Sequence, residues 1–297
     1  MESNSLIQPK KSGTKLIEEI LNSKVGSGVA VCWLGQSGYA FKTNQVILYI
    51  DLYLSEHLTS KYQNTSNPHV RITTTPLRGN QIEEADLILS THKHSDHMDP
   101  LTIPDIMKNC KNAKYIVPVA HMAHVTDWGI DATRIHGARV DEKIEFGDVT
   151  IIPQPAKHEN FNCSESQGYP HMSYIIQAGG IVFYHSGDTI PFNGMIEILK
   201  KHNVDVVMLP INGRDKRRHS YGTPGNCTIE EALCIAELSG AKCLIPHHYD
   251  MFTFNTVDIG EFKELAEELY PHLSCCILKC GEIKIFIKER GEVTWEK

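Results

Sequence analysis

Three imidazoles and one carboxylate occur within six residues of this 297-residue chain, as His92, His94, Asp96 and His97. They follow residues 86–90, an apolar run of strand length, so a strand would deliver all four side chains to one point. Imidazole nitrogen and carboxylate oxygen are ligands for zinc, manganese or iron, whereas magnesium and calcium prefer all-oxygen sites. Alternation in an extended segment puts His92 and His94 on one side, and a following turn can direct Asp96 and His97 towards a second ion. A histidine-rich surface loop is the ordinary alternative, but the spacing after a strand favours a centre with two metal ions.

A two-metal centre needs ligands beyond these four. His158, Asp188 and His248 are candidates because each lies just past a strand-like run. Asp188 stands in the sequence His-Ser-Gly-Asp-Thr, where its carboxylate could bridge two cations. The neighbouring His247 would point away from His248 in an extended segment, so both cannot readily bind one ion. The sequence therefore predicts a site assembled from segments that are far apart in the chain.

The overall composition is typical of a globular protein, with 41% apolar residues. No window approaches 18 uninterrupted apolar residues and the N-terminus lacks the apolar centre of a signal peptide, so we expect a cytoplasmic protein without a membrane partner. Nine scattered cysteines favour reduced, buried thiols over a disulfide framework. The net charge of −7 disfavours nucleic acid as a partner, whereas a local basic patch could still hold a small anionic substrate.

Apolar periodicity predicts strands and helices in both halves of the chain, behind a loosely held polar arm at residues 1–13. The main predicted strands are residues 29–34, 39–41, 46–51, 173–176, 181–184, 204–209, 243–245, 276–279 and 283–287. The clearest predicted helices are residues 194–202, 228–238 and 258–269. Residues 52–80 lack a steady period and form a candidate lid, because long loops in compact domains are often functional. Residues 14–297 are predicted to form a single domain with two facing sheets and helices outside.

The stretch from Thr91 to Asp99 resembles the second motif of the metallo-β-lactamase superfamily. The later order of a histidine, an aspartate in a Gly-Asp-Thr setting and a final histidine is also similar to that superfamily. More narrowly, the chain resembles the L-ascorbate-6-phosphate lactonase branch in residues 33–35, 71–76, 91–99, 184–188 and 241–252. The resemblance implies an α/β (α+β) fold, a four-layer αββα sandwich of two mixed sheets with helices outside.

The resemblance also implies a complete ligand set. It places one ion among His92, His94 and His158, the other among Asp96, His97 and His248, and Asp188 between them. His158 follows the wider superfamily rather than the lactonase branch, and His248 is preferred over His247 because it matches the family position.

Three further residues would support these ligands. Asp51 matches an early family motif and would hold a ligand histidine, although capping a turn would also explain it. His185 would orient Asp188, and Tyr249 would support His248.

The implied activity is hydrolysis of a lactone or ester of a small sugar acid, with or without a phosphate group, by a metal-activated hydroxide. The two ions would be zinc or manganese, or alternatively iron. Asp96 or Asp188 would receive the proton. Arg214, Lys216 and Arg217 would grip a substrate phosphate, although a solvated loop explains the same charges equally well.

Several alternatives stay open at this point. The same ligands serve metal-dependent phosphodiesterases that act on small phosphodiesters, phospholipids or RNA, and the acidic balance disfavours RNA. A metal-binding protein without turnover is another alternative. Related di-iron redox proteins carry a glutamate where His94 stands, so His94 favours hydrolysis. The subunit count is open, with a homo-oligomer among the alternatives.

Overall fold

The computed structural model describes residues 6–166 and 168–296, in which strands and helices alternate along the chain. The strands are β1 (Val29–Gly35), β2 (Gly38–Lys42), β3 (Ile47–Ile50), β4 (Leu87–Leu89), β5 (Lys114–Pro118), β6 (Ile135–Ala138), β7 (Ile144–Phe146), β8 (Val149–Pro155), β9 (Met172–Ala178), β10 (Ile181–His185), β11 (Val206–Pro210), β12 (Cys243–His247), β13 (Ser274–Cys275), β14 (Glu282–Glu289) and β15 (Glu292–Glu296). The α-helices are α1 (Gly13–Asn22), α2 (His57–Tyr62), α3 (Thr102–Asn109), α4 (Met122–Thr126), α5 (Met195–Lys201), α6 (Lys216–Ser220), α7 (Ile229–Ser239) and α8 (Ile259–Leu269).

The strands form two mixed sheets. One has the order β15-β14-β1-β2-β3-β4-β5-β6 and the other the order β13-β12-β11-β10-β9-β8-β7. In the first sheet β3 to β6 pair in parallel, and in the second β10 to β13 do so. The remaining pairs are antiparallel. This arrangement confirms the predicted α/β class with two mixed sheets.

Apolar side chains join the two sheets and attach the helices to them. Between the sheets, Phe183 of β10 packs against Phe41 of β2 and Phe286 of β14, with ring centroids 5.3 and 5.7 Å apart. The other face of the first sheet forms a separate apolar cluster with α1 and α3. Helices α5, α7 and α8 pack their buried residues into the cluster that contains the second sheet. The order of layers is therefore helix, sheet, sheet, helix, as the resemblance implied.

Strand direction brings the functional segments to one edge of each sheet. Strands β8, β10 and β12 run the same way, because β9 is antiparallel to both β8 and β10 while β10, β11 and β12 are parallel. Strands β1, β3 and β4 likewise share a direction. The segments that follow these six strands therefore emerge at common edges, where ligands are commonly bound in open α/β sheets.

Helix α7 shows how local sequence sets an element's ends. The Thr228 side chain accepts a hydrogen bond from the Glu231 backbone N–H, and the Glu231 carboxylate accepts one from the Thr228 N–H, which makes a capping box. Gly240 ends the helix at a φ of 76°, a left-handed conformation that glycine adopts without steric cost. Both ends agree with the helix predicted from the sequence.

Several predicted elements need correction. Residues 276–279 are not a strand, although Cys276 and Leu278 are buried with the alternation of one, and the edge strand β13 ends at Cys275. Strand β15 was missed because only Val293 and Trp295 alternate with polar residues there. Helix α6 was also missed. The predicted loop 52–80 contains α2 and a short 3₁₀ turn at Gly79–Gln81.

The N-terminal arm is attached where the structure describes it. Residues 1–5 of the predicted arm lie outside the described residues. The Ile7 N–H donates to the Ile72 carbonyl at 2.9 Å, and the Lys10 N–H donates to the Cys280 carbonyl at 2.7 Å. The prediction of a loosely held arm is therefore wrong for these residues.

All nine cysteines are unpaired, and most are buried. Within residues 6–166 and 168–296, none of the helices has the length and apolar character needed to cross a membrane.

Candidate metal centre

The segment between β4 and α3 carries the predicted ligand cluster and is held in place by buried hydrogen bonds. Asp51 follows β3 directly, and its carboxylate accepts hydrogen bonds from the Thr91 N–H and hydroxyl, both at 2.7 Å. The Ser90 hydroxyl donates to the His97 carbonyl at 3.0 Å. These bonds fold the segment into a compact turn that points its imidazoles into the space between the sheet edges.

The first group of candidate ligands consists of His92, His94, His158 and Asp188. Their ligand atoms all lie within 4.8 Å of one another. His92 Nε2 and His94 Nδ1 are 2.9 Å apart, and His158 Nε2 is 3.6 Å from Asp188 Oδ2. The structure thus brings together side chains from the segments after β4, β8 and β10.

The second group consists of Asp96, His97 and His248, again with ligand atoms within 4.8 Å of one another. His248 Nε2 is 3.8 Å from Asp96 Oδ2. His97 Nε2 is also 3.8 Å from that oxygen. All seven predicted ligands therefore lie in two adjacent groups.

Asp188 lies between the two groups. Its Oδ2 faces His158, and its Oδ1 lies 3.1 Å from His97 Nε2 and 3.5 Å from His248 Nε2. Gly187 has a φ of 57°, and a Cβ at this position would come within 3 Å of the Thr91 side chain. The glycine therefore permits the close approach that places this carboxylate between the groups.

Hydrogen bonds fix which nitrogen of two imidazoles is free to bind a cation. His97 Nδ1 lies 2.7 Å from Asp51 Oδ2, so this nitrogen donates its proton to the carboxylate. His92 Nδ1 lies 3.0 Å from the Thr91 hydroxyl, which itself donates to Asp51. Each imidazole consequently directs Nε2 towards the other candidate ligands, the arrangement that orients metal-bound histidines in proteins.

Burial and neighbouring charge shift the pKa values of the cluster. Burial lowers the pKa of His158 to about 4, against the opposing effect of Asp188. Burial alone would also lower the pKa of His97, but Asp188, Asp51 and Asp96 outweigh it and raise that pKa well above its usual value. Burial opposes the ionised form of Asp188, yet His97 and His248 hold its pKa well below the usual range. The Asp188 carboxylate is therefore ionised at neutral pH.

The donor set fits divalent cations. His97 Nε2 and Asp188 Oδ1 are buried 3.1 Å apart, and neither makes a well-directed hydrogen bond with a described residue, although buried polar atoms are normally paired. A cation between them would satisfy both atoms and neutralise the carboxylates. Imidazole nitrogen with carboxylate oxygen suits zinc, manganese or iron.

The three residues predicted to support the ligands differ in what their side chains contact. Asp51 holds His97 directly, as the sequence predicted. His185 acts through the backbone, because its Nδ1 accepts from the Gly187 N–H at 3.2 Å while its Nε2 contacts the Ser37 carbonyl. Tyr249 does not support His248, since its hydroxyl donates to the Leu278 carbonyl and its ring packs on Trp33.

His247 and His248 diverge, as the sequence predicted. His247 is buried beside His185, with ring centroids 5.3 Å apart, and lies outside both candidate ligand groups. His248 turns into the second group at a φ of 65°.

Two residues at the centre were not among the predicted site residues. Gln36 follows β1, and its Nε2 donates to Asp96 Oδ2 at 2.8 Å and lies 3.0 Å from His248 Nε2. His171 packs beside His92 and His158, with centroid distances of 5.1 and 5.4 Å. Gln36 lies in a Gly-Gln-Ser-Gly turn just after a strand, the same kind of position that singled out Asp188, and this signal could have identified it.

A cavity of about 700 Å³ opens onto both groups. Its wall includes His94, Asp96, His158, Asp188 and His248. The rest comes mainly from residues 58–69, 220–224 and 252–255 and includes Lys93 and His124. Part of the predicted lid therefore does line the site.

The residues predicted to grip a phosphate lie outside this cavity wall. Arg214, Lys216 and Arg217 are not among the described residues that line this cavity. The Arg214 guanidinium is held by Glu231, with contacts of 2.6 and 2.5 Å. Arg214 and Lys216 instead line a separate pocket beside Glu159. The sequence identified the charges but could not show that they lie outside this cavity wall.

Comparison with known proteins identifies the family. The sequence model of the beta-lactamase superfamily domain matches residues 62–249. The chain therefore belongs to the beta-lactamase superfamily, and within it the protein is a metal-dependent hydrolase.

The chain is similar to individual metal-dependent hydrolases and to a lactonase. The chain is 26% identical over 252 residues to a UPF0173 metal-dependent hydrolase of Caldivirga maquilingensis, a match that covers 84% of this chain and 95% of the relative. It is 25% identical over 313 aligned positions to a probable L-ascorbate-6-phosphate lactonase of Salmonella heidelberg, covering 95% of this chain and 86% of the relative. Among solved structures, Igni18, a metallo hydrolase of Ignicoccus hospitalis, matches with a TM-score of 0.62 at 24% identity, covering 86% of this chain and 97% of that one.

Proposed function

We propose that this enzyme hydrolyses a lactone or ester of a small sugar acid at a centre of two divalent cations. His92, His94 and His158 would hold one ion, and Asp96, His97 and His248 would hold the other. The observation that carries the two-ion arrangement is the position of Asp188, with one carboxylate oxygen towards each group. When bound, such ions lower the pKa of a coordinated water and polarise an acyl oxygen.

The chain itself supplies orientation and proton transfer. Asp96 and Asp188 are the carboxylates that line the cavity, so either can accept a proton from an attacking water. Gln36 fixes one oxygen of Asp96 by donating to it, which leaves the other oxygen free to take up that proton. The left-handed turns after β1 and β12 hold Gln36 and His248 against each other.

Similarity to the probable L-ascorbate-6-phosphate lactonase supports the lactone and ester class. The relatives described only as metal-dependent hydrolases support hydrolysis without specifying the substrate. Phosphodiester hydrolysis is the rival reaction, because the same ligand types serve it.

The test is turnover by the metal-loaded protein on a panel of lactones, carboxylic esters and phosphodiesters, with metal content measured in parallel. We expect hydrolysis of at least one lactone or ester, two ions per chain, and loss of activity in Asp96→Ala. Hydrolysis of phosphodiesters alone would replace the proposed reaction with its rival. A metal-loaded wild type that hydrolyses nothing on the panel would reject both.

A further inference from the structure

The lysines and aspartates of the cavity wall are equal in number, although the whole protein is acidic. The chain has a net charge of −7, yet the acidic residues of the wall, Asp96 and Asp188, are both candidate metal ligands. The wall also contains Lys61 and Lys93, and neither forms an ion pair with a described residue. Once cations neutralise the two carboxylates, the lysines leave the cavity positively charged.

Lys93 lies closest in the chain to the reacting centre, between the candidate ligands His92 and His94. It is exposed to the cavity rather than buried in the ligand cluster. An anion that contacts this ammonium group would therefore lie beside the first group of ligands.

Lys61 lies by a different part of the wall, beside an aromatic surface. Its ammonium group is 5.1 Å from the centre of the Tyr62 ring. Tyr62 stacks on His69 at 4.2 Å, and His69 contacts Phe252 and Phe254 edge-on. This surface can pack against the uncharged part of a substrate, with Lys61 as a second cation near it.

Of the other cations near the site, Arg214 and Arg218 are held by carboxylates, and Lys216 and Arg217 are not among the described residues of the cavity wall. Glu231 pairs with Arg214, and Asp215 pairs with Arg218 at 2.5 Å. An arginine that is bound to a carboxylate has fewer donors left for a substrate anion. Lys93 therefore has the stronger claim.

We propose that Lys93 forms an anion-binding subsite in this cavity, so that the preferred substrate carries a phosphate or carboxylate group away from the carbonyl that reacts. This inference depends on the proposed function only for the position of that carbonyl. Lys61, by a different part of the wall, adds a weaker attraction for anions that enter the cavity. Phosphate and carboxylate share the chemistry that an ammonium group recognises, namely anionic oxygens that accept charge-assisted hydrogen bonds.

Binding of open-chain acids tests the subsite independently of turnover. Calorimetry of the metal-loaded protein would compare 6-phosphogluconate, glucarate and gluconate, which share a carboxylate but differ in the group at the other end. We expect wild type to bind 6-phosphogluconate at least about tenfold more tightly than gluconate, since a charge-assisted hydrogen bond is lost without the second anion. Glucarate that binds like 6-phosphogluconate would identify a general anion subsite, whereas glucarate that binds like gluconate would identify a phosphate subsite.

Variants then assign the effect to a residue. Lys93→Gln should abolish the preference for 6-phosphogluconate without changing metal content, and Lys93→Arg should retain it. Lys61→Gln should reduce it less, and Lys263→Gln, an exposed lysine on α8, should leave it unchanged. A wild type without the preference, or a Lys93→Gln variant that keeps it, would overturn the proposal. If these acids are discriminated but no lactone or ester is hydrolysed, the proposed reaction fails and the subsite stands.

Discussion

Replacing Asp51 with asparagine should weaken metal binding by changing which nitrogen of His97 carries the proton. Asp51 itself is not a candidate ligand. Asp51 is fully buried, and its Oδ2 accepts both the Thr91 hydroxyl and His97 Nδ1 at 2.7 Å. Asparagine keeps only one acceptor oxygen. When that oxygen accepts from the Thr91 N–H, the NH2 group takes the place of Oδ2 and cannot accept from His97 Nδ1–H. The imidazole would then carry its proton on Nε2, the nitrogen that faces Asp188 and Asp96.

The expected magnitude follows from loss of the hydrogen bond between His97 and Asp51. Loss of a residue that orients a metal-bound histidine typically weakens metal affinity roughly 10- to 100-fold, equivalent to about 1.4–2.7 kcal/mol. The metal-free protein should also lose about 1.5–3 kcal/mol of unfolding free energy, because one charge-assisted hydrogen bond is lost inside the fold. Stability and metal affinity should therefore fall together in Asp51→Asn.

Asp99 provides a matched control in the same segment. It is also fully buried and accepts three hydrogen bonds, from the Ser55 hydroxyl at 2.9 Å, the Leu101 N–H at 3.0 Å and the Thr102 hydroxyl at 2.5 Å. None of these donors belongs to a candidate ligand. Asp99→Asn should destabilise the metal-free protein to a similar extent but bind metal as wild type does.

The assay combines chelator competition for metal affinity with urea unfolding of the metal-free protein. Equal losses of affinity in Asp51→Asn and Asp99→Asn would show that general loosening, not the tautomer of His97, weakens the centre. Wild-type affinity in Asp51→Asn would refute the reasoning altogether.

The other predictions concern Gln36 beside the second group of ligands, the stability of the metal-free protein at low pH, and Arg217. Gln36→Ala removes the donor to Asp96 and should weaken binding of the second ion roughly tenfold, which metal titration followed by elemental analysis would detect as loss of one ion first. The metal-free protein should lose stability as pH falls below 6.5, because burial lowers the folded-state pKa of His158 to about 4 and that of His171 to about 3, so that the unfolded chain binds more protons in this window. His158 alone should contribute about 2 kcal/mol of this loss between neutral pH and pH 5, and a urea midpoint that stays constant or rises over this range would contradict it. Arg217→Ala should change KM less than about twofold for phosphorylated and unphosphorylated substrates alike, because Arg217 lies outside the cavity wall; a selective increase for the phosphorylated one would restore the predicted grip.

The ligands could be predicted from sequence because each follows an apolar run that is typical of a buried strand. Asp188 and His248 are examples, and a strand end is where a side chain is released from the sheet. The role of Arg214 could not be predicted in this way. Its charge is visible in the sequence, but its pairing with Glu231 depends on how α6 and α7 pack.

The missed elements have a similar explanation. The strand β15 gains its stability from pairing with β14, whose register sets Trp295 opposite Phe286, and not from its own apolar content. The reverse holds for Cys276 and Leu278, which are buried like strand residues although the ladder between β12 and β13 ends before them. Whether each segment is a strand depends on its pairing with a distant segment, and the apolar periodicity of one segment does not reveal that pairing.

Backbone strain is concentrated at the same sheet edges as the ligands. Eight described non-glycine residues have positive φ, and five of them follow the strands that form the site, namely Gln36, Asp51, Glu159, His248 and Asp250. Each such conformation typically costs about 1–3 kcal/mol and persists only where surrounding structure determines it. The buried sheets supply that structure, since the strands before these turns are locked on both faces. A left-handed residue directly after a strand reverses the direction of the chain, which is how His248 and Gln36 turn towards each other and towards Asp96. The strain is thus the geometric consequence of bringing side chains from six strands to one point.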